Sequence, residues 1–149
     1  TGPTGAILLS SGYFWSTTTG NVNSGAIVPL ASGQNIIGST ITFTAPGTIN
    51  IATPGIYLVS YGVTADPLNL YVAIELQLNG ISIPGSSIFE SDTLAGGTSD
   101  LRVTNTMFIQ VLTNNSTLTI INSSSQVFFK SPAPNATTTT ANLNIIQLA

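Results

Sequence analysis

The sequence predicts an all-β domain, an antiparallel sandwich or jelly roll, and three observations support this. Short runs that alternate between apolar and polar residues recur along the chain. Pro-Gly, Asn-Gly and similar pairs separate these runs. No capping box leads into a stripe of apolar residues at the 3.6-residue period of a helix. Many short strands between such turns are typical of a sandwich or jelly roll.

Five strands are predicted in the middle of the chain. A β-branched and aromatic run at 56–64 predicts a strand, because such side chains favour a pleated sheet. Asn79-Gly80 between two alternating runs predicts a hairpin with a type I′ turn, which needs positive φ at both central residues. The five predicted strands cover residues 40–44, 48–52, 56–64, 71–78 and 81–83.

The C-terminal third predicts four further strands, at 103–112, 117–121, 126–130 and 142–148. The turn residues 113–116 separate the first two of them. Residues 12–38 contain no pattern that assigns them to particular elements.

Composition limits the function. The 149 residues predict one domain, which is large enough to fold without a metal or a disulfide. The chain has no Cys and no His, which excludes thiolate sites, the usual catalytic triads and zinc sets. Charged residues make up 5% of the chain, and Arg102 and Lys130 are its only basic residues, so nucleic-acid binding is not expected. No apolar run reaches the length of a membrane span, so membrane insertion is not expected either.

Several strands are apolar on both faces, which predicts self-association. Tyr57, Val59 and Tyr61 share one face of a strand whose other face carries Ile56 and Leu58. An antiparallel sheet usually keeps one face polar, and an uncovered second apolar face favours an interface. The alternative is that strand ends pack under loops. The candidate interface residues are Tyr57, Val59, Tyr61, Met107, Ile109, Val111 and Ile145.

A family resemblance adds to this pattern over residues 40–85. Gly55-Ile-Tyr-Leu-Val-Ser-Tyr61 resembles the Gly-x-Tyr-x-Phe-x-Tyr signature of the complement/tumour-necrosis-factor jelly-roll superfamily, with Val59 at the central aromatic position. Leu76-Gln-Leu-Asn-Gly-Ile-Ser-Ile-Pro-Gly85 is similar to the C-terminal domains of BclA-type collagen-like glycoproteins of bacterial spore surfaces. The resemblance implies a jelly roll of about ten strands, assembled as a homotrimer.

The same resemblance gives a meaning to the first five residues, Thr-Gly-Pro-Thr-Gly. Two glycines three residues apart fit the Gly-X-Y repeat of a collagen triple helix. We therefore expect residues 1–5 to end a stalk and residues 6–149 to form one head domain. The resemblance implies an extracellular location on a spore surface (the exosporium), with O-glycosylated threonines in the stalk.

The expected function is structural and non-enzymatic: a trimerisation head that nucleates the triple helix and sets its register. The alternative is an adhesin or lectin-like head that binds host glycans or receptors, or the tip of a phage fibre. Trp15, in the aromatic run Tyr13-Phe-Trp15, is the candidate ligand contact, because its ring could stack on a sugar. Packing of the N-terminal segment across the head is the competing explanation of this run.

Few residues suggest chemistry. Glu90 and Asp92 are expected in a solvated loop, with a calcium or glycosidase pair as the minor alternative. Glu75 is expected to face solvent or to pair with Arg102 of another copy. Neither a cofactor nor a metal ion is expected. Residues 137–140 are expected to form a flexible loop, and the sequons at Asn114, Asn115, Asn122 and Asn135 are attributed to chance.

Overall fold

The computed structural model describes residues 9–67, 71–91, 100–124, 128–130 and 138–149. Every regular element in these ranges is a β-strand. The strands are β1 (Ser11–Ser16), β2 (Gly20–Val22), β3 (Gly33–Ile37), β4 (Ile41–Thr44), β5 (Thr48–Ile51), β6 (Gly55–Pro67), β7 (Tyr71–Leu78), β8 (Ile81–Ser82), β9 (Ile88–Ser91), β10 (Leu101–Val111), β11 (Ser116–Asn122), β12 (Phe128–Lys130) and β13 (Ala141–Gln147). No helix of membrane-spanning length and apolarity lies in the described ranges.

The strands form two antiparallel sheets. The first sheet has the order β2-β12-β6-β13-β1-β3, and β10 pairs with β6. The second sheet has the order β4-β5-β11-β7-β8, and β9 pairs with β7. The pairs formed by these strands are antiparallel, and neighbours in a sheet are often distant in sequence, as β1 and β13 are. The predicted all-β jelly roll is confirmed.

The nine predicted strands are present, with end points shifted by a few residues. Four further strands, β1, β2, β3 and β9, were not predicted, so the described ranges hold more strands than the expected ten or so. In β1 three consecutive aromatic residues conceal the alternation. Phe14 is buried and stacks on Phe43 with ring centroids 5.3 Å apart, whereas Tyr13 is exposed.

The Asn79-Gly80 hairpin is confirmed by its backbone. Asn79 has φ 53° and Gly80 has φ 78°, which is the left-handed conformation that a type I′ turn requires. The Asn79 side chain also ties the turn to β11: its Oδ1 accepts from the backbone N–H of Thr117 at 2.9 Å, and its Nδ2 donates to Ser116 Oγ at 3.2 Å.

The core lies between the two sheets and consists almost entirely of aliphatic side chains with a few aromatic ones. Each strand directs alternate residues into it, as the two-residue period of a strand requires. The largest fully buried side chains are Tyr57, Tyr61, Phe14, Leu30, Ile41, Ile49, Ile51, Ile74, Leu76 and Leu118. In the described part of the chain, each sheet thus has an inner face in the core and an outer face that a partner can reach.

Candidate functional site

The structure corrects the location of the residues predicted to form the association interface. Six of them point into the core of the single chain and are at most 4% exposed: Tyr57, Val59, Tyr61, Ile109, Val111 and Ile145. Met107 is partly buried and packs against the same core. Side chains in these positions have almost no surface left to bury against another chain, so they stabilise the protomer itself.

The two predicted interface tyrosines are anchored inside the protomer by their hydroxyl groups. Tyr57 donates from its hydroxyl to the backbone oxygen of Thr53 at 2.8 Å. Tyr61 donates to the backbone oxygen of Ser86 and accepts from Asn105 Nδ2 at 3.1 Å. Burial raises the pKa of the Tyr61 hydroxyl, an effect that the Asn105 hydrogen bond partly opposes. Tyr61 thereby links the two sheets, since Ser86 belongs to the loop between β8 and β9 of the second sheet.

The outer face of the first sheet carries the apolar surface that the two-faced strands predicted. Leu58 of β6 lies there, in register with Ile146 of β13 on one side and Phe108 of β10 on the other. Ile146 is in turn in register with Ser11, and Ser11 with Ile37. We call the following set the apolar stripe: Leu9, Ile37, Ile56, Leu58, Phe108, Ile146 and Leu148.

The apolar stripe holds most of the exposed apolar surface in the described part of the chain. Phe108 is 66% exposed and Ile37 is 61% exposed. Of the ten large apolar side chains classed as exposed, six belong to the stripe and a seventh, Tyr13, adjoins it. Isolated apolar side chains are normal on a protein surface, but a contiguous group of this kind marks an interaction site.

Beyond the stripe, the described residues of this outer face are mostly polar, apart from the rings of Tyr13 and Trp15. Ser60 and Thr106 lie one alternate position beyond Leu58 and Phe108, and their hydroxyl groups are hydrogen-bonded at 2.8 Å. Farther along β6, Arg102 Nη1 donates to Thr64 Oγ1 at 3.1 Å. The face therefore divides into an apolar end, near the C-terminal residues of β13, and a polar end.

The stripe adjoins the point where the chain enters the described domain. The backbone N–H of Leu148 donates to the oxygen of Ile56 at 2.8 Å, and that of Gln147 donates to the oxygen of Ser10 at 2.9 Å. Leu9, Leu148 and Ile56 consequently lie together at the apolar end of the face.

Trp15, the predicted ligand contact, lies on the same outer face at its polar end. Its ring stacks with that of Tyr13 at a centroid distance of 5.3 Å and an interplanar angle of 24°. The packing explanation applies to Phe14, which is buried in the core. Tyr13 and Trp15 lie on the outer face, where ligand contact by Trp15 stays a prediction.

The predicted charged sites are not assembled within the described part of the chain. Glu90 is exposed on β9, while Asp92 lies outside the described residues. Glu75 Oε1 accepts from Gln77 Nε2 and from Ser82 Oγ, both at 2.9 Å, on the second sheet, whereas Arg102 belongs to the first. Among the described residues no three acidic side chains approach one another as a metal site would require.

The sequons and the hydroxyl-rich segment have different environments. Asn122 is fully buried and donates to the backbone oxygen of Val22 at 2.9 Å, so its side chain is not accessible to a glycosyltransferase in the folded domain. Asn114 and Asn115 are exposed in the turn between β10 and β11, and Asn135 lies outside the described residues. Thr140 is not part of a flexible loop: it is buried, and its hydroxyl donates to the oxygen of Thr18 at 2.8 Å.

A cleft of about 390 Å³ lies at the edge of the sandwich, between the β7–β8 hairpin and the end of β10. Its walls are mainly apolar, and it contains no titratable side chain. It is lined by Leu78, Asn79, Ile81, Ser82, Ile83, Pro84, Gln110, Leu112 and Thr113. This lining provides neither a general acid nor a general base.

No protein-family profile matches the chain, and no curated protein matches it either. Solved structures do match its fold. Eiger TNF from S. frugiperda superposes with a TM-score of 0.66 at 14% identity, over 95% of this chain and 93% of that one. Murine APRIL superposes with a TM-score of 0.63 at 10% identity, over 94% of this chain and 99% of that one. Pika GITRL superposes with a TM-score of 0.53 at 16% identity, over 95% of this chain and 97% of that one. The similarity extends over nearly the whole of each chain, and the protein therefore has the jelly-roll fold of TNF-like proteins.

Proposed function

We propose that this chain is the non-enzymatic trimerisation head of a collagen-like fibre on a bacterial surface. The apolar stripe is the observation that supports the proposal. The inner face of the first sheet already covers the core, so the stripe has no partner within the described part of the protomer. A second and a third copy of the chain supply that partner.

The energetics favour association through the stripe. Burying one large apolar side chain contributes about 1.5–3 kcal/mol, so a stripe of seven such side chains outweighs a substantial cost of association. The surface also has little charge to keep copies apart, because only 5% of the residues are charged. In a cyclic trimer each copy presents the same surfaces to its neighbours, which closes the assembly.

The position of the N-terminal residues supports the stalk. Leu9 lies at the apolar end of the face, so packing three copies through the stripe brings the three preceding segments close together. A collagen triple helix needs three chains in register with Gly at every third position. Residues 1–5, which lie outside the described residues, supply one such triplet and would be the last turn of the stalk.

The finer parts of the proposal come from the resemblance. They are the BclA-type identity, the exosporium as the location, and O-glycosylation of the stalk threonines. The proposal contains no catalytic step, metal ion or cofactor, since the sequence lacks the His and Cys residues on which most such sites depend.

The first experiment is the solution mass of the 149-residue chain by light scattering during gel filtration, repeated after dilution. The expected mass is three times 15.3 kDa. A monomer at all concentrations would overturn the proposal.

A second measurement tests the stalk: ten Gly-Pro-Pro triplets are fused ahead of residue 1, and their triple-helix melting is followed by circular dichroism. The head should raise the refolding rate of the triple helix relative to the same peptide alone.

A recognition head is the second candidate. The observation that favours it is the stacked pair Tyr13 and Trp15, which leaves aromatic surface accessible at the polar end of the face. An adhesin, a lectin-like head or a phage fibre tip could use such a surface within the same trimer.

A further inference from the structure

Tyr13 and Trp15 form a stacked aromatic pair on the outer face of the first sheet, which we call the platform. They are alternate residues of β1, so both side chains project outward while Phe14 projects into the core. Tyr13 is 37% exposed, and Trp15 is half-buried. With 5.3 Å between the centroids and 24° between the planes, the two rings are stacked with an offset, so they overlap in part and together form one aromatic patch.

The indole is held against the backbone of the neighbouring strand. Trp15 is in register with Gly33 of β3. A Cβ built on Gly33 would come within 2.1 Å of Trp15 Cζ2, so the ring occupies the space that any side chain at this position would need. Because Gly33 has no side chain, the indole of Trp15 can lie directly against the backbone of β3.

Amide side chains flank the platform on both sides. Tyr13 is in register with Asn35 of β3 and with Asn144 of β13. Within the described part of the chain, neither amide side chain has a hydrogen-bond partner, nor do the Tyr13 hydroxyl and the Trp15 Nε1. Each Asn offers two donors and an acceptor, which is the complement of a vicinal pair of hydroxyl groups.

No charged side chain that the structure describes lies next to the platform. The row of Tyr13 and Asn144 meets β6 at Ser60. The charged side chains that the structure describes on this sheet lie farther along: Arg102 is in register with Thr64, and Asp66 is two residues beyond Thr64. Among the described side chains no cation adjoins the platform to bind a carboxylate or a phosphate group, so a neutral ligand fits it better than an anionic one.

We propose that Tyr13, Trp15, Asn35 and Asn144 form a binding site for one neutral pyranose residue of a glycan. The apolar C–H face of the sugar stacks on the two rings, and its hydroxyl groups bond to the two amides. Aromatic side chains with a few polar groups are the usual lining of a small-molecule site. This inference does not depend on trimerisation, because all four residues belong to one chain and lie beyond the apolar stripe.

The chain contains a convenient probe, since Trp15 is its only tryptophan. Its fluorescence is recorded while methyl pyranosides of mannose, galactose, fucose, rhamnose and N-acetylglucosamine are titrated in turn. A single sugar of about 12 heavy atoms should bind with a millimolar dissociation constant. At least one neutral pyranoside should give a saturable change in emission, and sialic acid should give none.

Variants assign the site, and saturation-transfer NMR measures their binding because it does not need the tryptophan. Tyr13→Ala and Asn144→Ala should each weaken binding about tenfold or more. Gly33→Ala should do the same by displacing the indole. Phe89→Ala, which removes an exposed ring from the second sheet, is the matched control and should leave binding unchanged.

Two results would overturn the sugar site: no saturable change with any neutral pyranoside up to about 100 mM, against the millimolar binding expected of a single sugar, or binding that survives both Tyr13→Ala and Asn144→Ala. The solution mass is measured on the same samples. A trimer that does not bind sugar refutes this site and leaves the proposed function standing. A monomer that binds sugar supports this site and refutes the proposed trimerisation head.

Discussion

Leu58 and Val59 are adjacent in β6 and belong to opposite surfaces of the protein. Val59 is fully buried in the core between the sheets, whereas Leu58 lies on the outer face between Ile146 and Phe108. Because a strand alternates its side chains, every association argument depends on this assignment of faces.

Leu58→Asp should convert the proposed trimer into a folded monomer. The new carboxylate would lie in the middle of the buried stripe without a partner, which costs several kcal/mol per interface. Light scattering should show the mass fall to 15.3 kDa, while circular dichroism keeps its β-sheet signal. Ile81→Asp is the control, because Ile81 is 73% exposed on the second sheet. A trimer that survives Leu58→Asp would place the interface elsewhere.

Ile145 and Ile146 allow stability and assembly to be separated at neighbouring positions. Ile145 is fully buried in the core, so Ile145→Ala should lower the free energy of unfolding by about 2–5 kcal/mol per protomer. Ile146 is 38% exposed in the stripe, so Ile146→Ala should mainly weaken association. Urea unfolding and concentration-dependent light scattering of both variants test this. The face assignment would be wrong if Ile145→Ala mainly weakened association and Ile146→Ala mainly lowered the free energy of unfolding.

Tyr61 should make the protein less stable in alkali. Burial raises the pKa of its hydroxyl above the ordinary 10.0, so between the two values the folded state holds a proton that the unfolded state has lost. The stabilisation is complete below about pH 10 and is lost as the pH rises toward the folded pKa. Urea unfolding at pH 8 to 11 should show this fall.

Tyr61→Phe is the control for the alkaline effect. The variant lacks the hydrogen bonds to Ser86 and Asn105 and should lose about 0.5–1.5 kcal/mol per bond at pH 7. Its stability should fall less steeply above pH 10 than that of the wild type. Equal slopes for the two proteins would show that other groups cause the alkaline loss.

Gly80→Ala should destabilise the β7–β8 hairpin. Gly80 has φ 78°, a conformation that costs a residue with a side chain about 1–2 kcal/mol. No atom lies within 4 Å of an added Cβ, so the penalty comes from the backbone alone. Thr42→Ala, at an exposed position of β4, is the control and should change the free energy of unfolding by less than about 0.5 kcal/mol. Thermal unfolding of both variants checks the difference.

Much of the fold could be predicted from local patterns. Alternation over 56–64 and the Asn79-Gly80 pair specify a strand and a hairpin, because the physics that decides them acts within a few residues. The strands β1 to β3 could not be assigned in this way. The consecutive rings of Tyr13, Phe14 and Trp15 contain no apolar–polar alternation, and only pairing with β13 and β3 determines which ring is buried.

The candidate site depended even more on tertiary structure. Apolar residues on both faces of β6 already indicated a second covered surface. The sequence favours the larger set, with Tyr57, Val59 and Tyr61, as the interface, but these side chains fill the space between the two sheets. The platform of Tyr13, Trp15, Asn35 and Asn144 joins three strands from both ends of the described chain, and no spacing in the sequence indicates it.

The sequence by itself determined the class of this protein: all-β, almost uncharged, without His or Cys, and with more apolar strand faces than one core needs. Only the tertiary structure decided which of those faces is the core and which is the surface. The physical reason is the two-residue period of a strand, which defines two faces but not which one another sheet will cover. That choice is made by long-range pairing, such as that of β6 with β10 and β13, and it leaves Leu58 outward and Val59 inward.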